Sequence, residues 1–232
     1  MSGPRLLLVL TFWVGLVVAL PSANGQPATA EKEKQRTEAG DKADALIREG
    51  KFADAVEPAT ASVRLSKEID GEKHWRTFDA EQRLKMVDTA KSFGAEKQKK
   101  LVEAIAAEDQ AKKAEPTKPA DALKLAQAAL DGYREILGEE TAEVARMWHL
   151  IGRLGLRSND AKGAKEANEK ALKIRRAVLP ESHPDIGKSL NNLGIALTNL
   201  GDTKQAAKHF LEAIGIWKAA LGEGDPSVAM GL

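Results

Sequence analysis

Cysteine is absent from all 232 residues. Its absence excludes disulfides, thiolate nucleophiles, thiolate-bound metals and a lipid-modified N-terminal cysteine. Aromatic residues are scarce at 4%, with a single tyrosine, so any core must be built from aliphatic and small side chains. An Ala-, Leu-, Lys- and Glu-rich chain of this kind favours helices packed through small residues. Neither sign of charge is in surplus: 35 Lys and Arg face 34 Asp and Glu. That balance offers no basic field for nucleic acid or an anionic membrane.

Long hydrophobic runs are also missing, with one exception. After Arg5, Leu6–Leu20 carries no charge, and "PSANGQ" follows. A positive start, a short apolar run and small residues predict a secretory signal peptide, cleaved after Gly25 to leave Gln26 at the N-terminus. A helix of that length reaches about 22 Å against roughly 30 Å of hydrocarbon, so an uncleaved anchor is the weaker alternative. The expected location is periplasmic or extracellular, without membrane contact after cleavage. Loss of Arg5 leaves the mature chain formally neutral.

What the sequence does contain is an internal repeat. "LGEETAEVA" (137–145), "LPESHPDIG" (179–187) and "LGEGDPSVA" (221–229) place Leu137, Leu179 and Leu221 at intervals of 42 residues. Without gaps, Trp148 falls on Leu190, Ile151 on Leu193, Gly152 on Gly194, Ala164 on Ala206 and Ala171 on Ala213. A fixed period of this size marks a solenoid of units too small to bury their apolar faces alone.

Inside a block the spacing is helical. Ile186, Leu190, Leu193, Leu197 and Leu200 form one stripe; Ala206, Phe210, Ala213, Ile214, Trp217 and Leu221 form the next. "LGDT" (200–203) separates them, with Gly201 as stop and Asp202 as N-cap, and "SNDA" puts Asn159 in the glycine slot. Gly152 and Gly194 fall in mid-helix, and the pattern predicts that Gly194 faces Ala206 across its hairpin. Asn168 stands where the next block has Phe210, so the earlier hairpin is less tightly filled.

Catalytic patterns are weak. "GKS" at 187–189 lacks the glycine a phosphate-binding loop needs at Ser182, and lies inside an amphipathic helix. His74, His149, His183 and His209 show no zinc spacing, and His209 is expected to face solvent. No nucleophile elbow occurs, and the acidic residues read as solvated helix faces. The sequence therefore calls for no enzyme, cofactor or metal.

The residues Trp148–Ile151–Gly152…Ala164…Ala171 and Leu190–Leu193–Gly194…Leu197…Ala206…Phe210…Ala213 resemble the tetratricopeptide repeat. "HPD" (183–185) and "SLNNLG" (189–194) resemble its kinesin light chain form. The likeness covers 137–232. Upstream, "REGKFADAVEPA" (48–59) resembles a turn and second helix, and "DGEKHWRT" (70–77) resembles inter-repeat loops of exported bacterial proteins of this kind.

The resemblance implies an all-α, right-handed solenoid of antiparallel helix pairs following the signal peptide. Residues 26–40 are expected as a polar tail running into the first helix, 41–74 as a degenerate hairpin of repeat type, and 75–119 as a divergent elongated hairpin. Residues 120–232 are the regular array, with helix pairs near 120–137, 142–179 and 184–221 and the start of a further helix at 226–232. The final stretch is either a docked stub or the start of more repeats.

The resemblance further implies an exported, non-enzymatic scaffold holding a protein or peptide segment in its concave groove. Two alternatives stand: a regulatory or substrate-presenting arm of a larger enzyme, and a structural or self-associating module of the envelope. In this fold the first helix of each pair lines the groove, which assigns Arg146, His149, Arg153 and Arg157 from one helix and Lys188, Asn191, Ile195 and Asn199 from the next. Four of these are permanent cations, so the expected partner is an acidic segment or a free C-terminal carboxylate.

Overall fold

The computed structural model describes residues 25–230, with the side chains of 28–229. Residues 1–24 of the expected leader and the last two residues lie outside them. Ten helices follow one another, and no strand forms among the described residues. They are α1 (Gly25–Arg48), α2 (Phe52–Asp70), α3 (Trp75–Lys91), α4 (Ala95–Ala114), α5 (Pro119–Leu137), α6 (Ala142–Arg157), α7 (Ala161–Val178), α8 (Pro184–Asn199), α9 (Thr203–Leu221) and the short α10 (Pro226–Met230).

Helices α1 and α2, α4 and α5, α6 and α7, and α8 and α9 pack as pairs, and successive pairs stack into a helical solenoid. The pair boundaries are written in local chemistry. Thr141, Asp160 and Asp202 cap α6, α7 and α9 by accepting from Val144, Gly163 and Gln205 amides at 3.3, 2.9 and 3.0 Å. Between paired helices the chain turns through the left-handed region at Gly201 (φ 87°), and at Asn159 (φ 59°), the one non-glycine among the described residues to do so. Asparagine tolerates that region better than other side chains, as the "SNDA" reading requires.

Two stretches differ from expectation. Residues 26–40 belong to the first helix, because a run of Ala, Glu, Lys and Gln has high helical propensity. Arg36–Asp70 (2.6 Å) and Lys32–Glu68 (3.0 Å) tie it to α2. Residues 75–119 do not form one hairpin. The chain breaks around Gly94, α3 lies along α2, and α4 pairs with α5 instead. The α4–α5 approach is close enough that a Cβ on Gly132 would meet that of Ala104 at 2.8 Å.

Two hydrophobic clusters form the core. One runs from Ile47 and Phe52 through Val87, Leu101, Leu130 and Tyr133 to Leu154; the other joins Leu172, Leu190, Leu193, Ala213, Trp217 and Val228. The mid-helix glycines admit a ring or an amide from the paired helix. A Cβ on Gly194 would lie 2.6 Å from the Phe210 ring, so that glycine faces Phe210 rather than Ala206. One block earlier, Gly152 meets Asn168 in the same way. Asn168 is fully buried, donates to Ala164 O at 2.8 Å, and leaves its Oδ1 without a partner.

Candidate protein-binding face

Helix α6 touches α8 directly as well as its own partner, so the first helices of successive pairs line the inner curve. The period of 42 places Arg146 and Lys188, His149 and Asn191, Arg153 and Ile195, and Arg157 and Asn199 at matching positions along it. The structure brings the eight residues onto these two neighbouring helices, but the two rows differ in kind.

The α6 row is already engaged. Arg146 donates from Nε and Nη2 to the two oxygens of Glu108 at 2.6 and 2.9 Å, a bidentate pair. Arg153 donates to Glu115 at 2.5 Å, and Arg157 to the Pro116 carbonyl at 3.3 Å. His149 is half-buried, and its Nδ1 is enclosed without a hydrogen-bond partner. Burial, followed by the charges of Arg175 and Arg153, pushes this imidazole down to about 3, so it is neutral. The expected basic stripe is therefore neutralised from within, chiefly by acids of α4 and the α4–α5 turn.

Glu108 is the residue the sequence reading missed. The acids read as solvated, yet this carboxylate is 3% exposed. Besides Arg146 it accepts from Tyr133 Oη and Lys112 Nζ, each at 2.6 Å. Burial alone would raise its pKa, but Arg146 and then Lys112 outweigh that and hold it at about 2. Burial together with this carboxylate pushes the Tyr133 phenol well up. The available signal was the lone tyrosine of the chain, whose buried hydroxyl requires a partner.

The α8 row is freer. Lys188 holds only its own-helix neighbour Asp185, at 2.8 Å, and its side chain is 56% exposed. Asn191 is half-buried, Ile195 and Asn199 are exposed, and neither asparagine has an intramolecular hydrogen bond. An amide can donate to and accept from an extended backbone at once. The inner face thus offers two unengaged amides around an exposed isoleucine, with a cation at one end. Among the described residues, no cluster of three acids or histidines is placed to hold a metal, and no helix is long and apolar enough to cross a membrane.

The family model of the tetratricopeptide repeat matches residues 151–185 and 187–227, so this stretch of the solenoid is of tetratricopeptide type. Among solved structures the chain is similar to BtubC (BKLC) from P. vanneervenii, at 21% identity and a TM-score of 0.42 over 76% of this chain. The alignment spans 61% of that protein's length. It is also similar to a Podosopora anserina protein described as a kinesin light chain with nearly identical TPR-like repeats, and to a variant of that protein carrying one substitution. Both are 16% identical, with TM-scores of 0.41 and 0.42, covering 88% of this chain and 82% of theirs. No curated protein matches the chain. Repeats of this type are typically protein-interaction scaffolds and not catalysts.

Proposed function

We propose that the chain is an exported, non-enzymatic scaffold that holds an extended protein segment along the inner face of α6 and α8. The observation that carries this reading is the contrast between the two rows. On α6 the three arginines are taken up by Glu108, Glu115 and the Pro116 carbonyl, whereas the side chains of Asn191 and Asn199 on α8 remain unengaged beside exposed Ile195. A ligand carboxylate, from an acidic side chain or a free C-terminus, would meet Lys188 first, since the arginines are held by Glu108 and Glu115. Export rests on the leader-like start and predicts an intact mass beginning at Gln26.

The test is binding to a library of immobilised ten-residue peptides. Asn191→Ala with Asn199→Ala removes two peptide-facing amides without removing an intramolecular bond. Two net hydrogen bonds of about 1 kcal/mol each predict a loss of about thirtyfold in affinity, with the melting curve unchanged. Peptides bound equally well by wild type and variant would move the site off this face.

A further inference from the structure

A solenoid repeat ordinarily touches only its neighbours. Here α3, from the second turn of the array, reaches the last complete repeat. His183, the N-cap of α8, accepts the Asp185 amide on Nδ1 at 3.1 Å, which places its proton on Nε2. That nitrogen donates to Asp79 Oδ1 of α3 at 2.9 Å, across 104 residues of sequence. The rings of Trp75 and Phe78 stand edge-on to the same imidazole at 5.9 and 6.4 Å. The Trp75 indole donates to the Ala220 carbonyl at the end of α9 at 3.3 Å, across 145 residues. Trp75 thus ties α3 to the end of α9.

Behind this contact lies a cavity of about 360 Å³, walled by α1, α3, α4 and the starts of α6 and α8. Most of its charges are paired off internally: Arg48 with Asp109, Arg83 with Asp44, Arg146 and Lys112 with Glu108, Arg175 with Asp185. Such a polar, self-satisfied wall suits water better than a small apolar ligand. The contact at its edge is small, and the Asp79 side chain is still 46% exposed. Helix α3 makes little contact with α4; α2, the Arg83–Asp44 pair to α1 and the burial of Val87 and Ala90 hold one side of it, and this contact the other.

A second observation says where the array can give. Where α7 meets α8, buried Leu172 is joined by two buried polar side chains, Arg175 and Ser189. Arg175 donates to Asp185 O and Ser189 Oγ, each at 2.7 Å, so part of the hold of α7 on α8 is by directed bonds. Hydrogen bonds exchange with water at small net cost, whereas apolar packing does not.

We infer that the contact of Trp75 and Asp79 with His183 and Ala220 is a reversible latch that narrows the cavity beside the inner face, and that rotation at the Arg175–Ser189 joint of α7 and α8 opens it to admit a protein segment. The admission step rests on the inner face being the binding surface; the opening itself does not. Because the chain has no cysteine, probes can be placed cleanly. Spin labels on Lys73→Cys and Glu181→Cys, exposed residues flanking the latch, should report one short, narrow distance.

With Trp75→Ala and Asp79→Ala the distance should lengthen and broaden. In the same background, a single Glu143→Cys on the cavity wall should react with a bulky maleimide about thirtyfold faster, as expected on removing two hydrogen bonds of about 1 kcal/mol each. Unchanged distance and unchanged reactivity would overturn the latch. Should the double substitution unfold the chain, the labelled protein with its latch intact decides the matter in urea. The distance should lengthen before helicity is lost, and coincidence of the two transitions would refute an independently opening latch.

Discussion

Glu108→Gln is the substitution whose effect the structure constrains most tightly. It preserves side-chain volume but removes the charge that joins three helices: α4 through Glu108 itself and Lys112, α5 through Tyr133, α6 through Arg146. Removing one partner of a buried pair costs roughly 3–5 kcal/mol, and the 39% exposure of the Arg146 side chain lowers this to about 2–3 kcal/mol. The pH dependence gives an independent figure. The carboxyl is held at about 2 against an ordinary value of 4.5. Its contribution is therefore fully present above pH 4.5 and lost as pH falls through 2, at about 1.4 kcal/mol per unit, or about 3 kcal/mol in all. Urea midpoints followed by far-UV circular dichroism at pH 7, 4.5, 3 and 2 check both numbers. The gap between wild type and variant should be full at pH 7 and 4.5 and close towards pH 2. Equal midpoints at pH 7 would show the cluster to be energetically idle, and a gap persisting at pH 2 would assign it to packing and not to charge.

Gly194→Val should lower stability by about 1–3 kcal/mol through overpacking against the Phe210 ring. Adding Phe210→Leu should restore part of the loss, and rescue by Ala206→Gly instead would refute the observed facing. Reversing Arg146, Arg153 and Arg157 to Glu together should lower the urea midpoint, since two of the new charges would oppose Glu108 and Glu115; an unchanged midpoint would show that these pairs contribute nothing. His149 is held neutral at about 3, so its share of stability is present above its ordinary value of 6.5 and lost as pH falls towards 3. His149→Gln should flatten that stretch of the stability curve, and an unaltered curve would place the imidazole in water.

The solenoid was legible because it is periodic. Apolar residues at helical spacing, recurring at a constant interval, left few alternatives for residues 137–232, and Asn159 could be placed in its left-handed turn from its slot alone. Long-range pairings were not legible. The sequence shows that Arg146, Arg153 and Arg157 share a helix face; that Glu108 and Glu115 sit opposite depends on how α4 stacks on α6. His209 shows the same limit: expected in solvent, it is half-buried with its Nδ1 enclosed and unpartnered. The fate of 75–119 turned on Gly94, where either a hairpin or a change of partner satisfies the local pattern. Only the packing of Ala104 on Gly132 selects the second.

The central claim is that a protein segment lies along the inner face beside α8. A photoreactive amino acid placed at Asn199, exposed on that face, and in a second protein at Lys173, exposed on α7, tests it directly during exposure to a peptide bound by the wild-type chain. Covalent capture of the peptide at position 199 and not at 173 is the predicted result. Capture at 173 with none at 199 would place the binding surface on the opposite side of the solenoid and contradict the account.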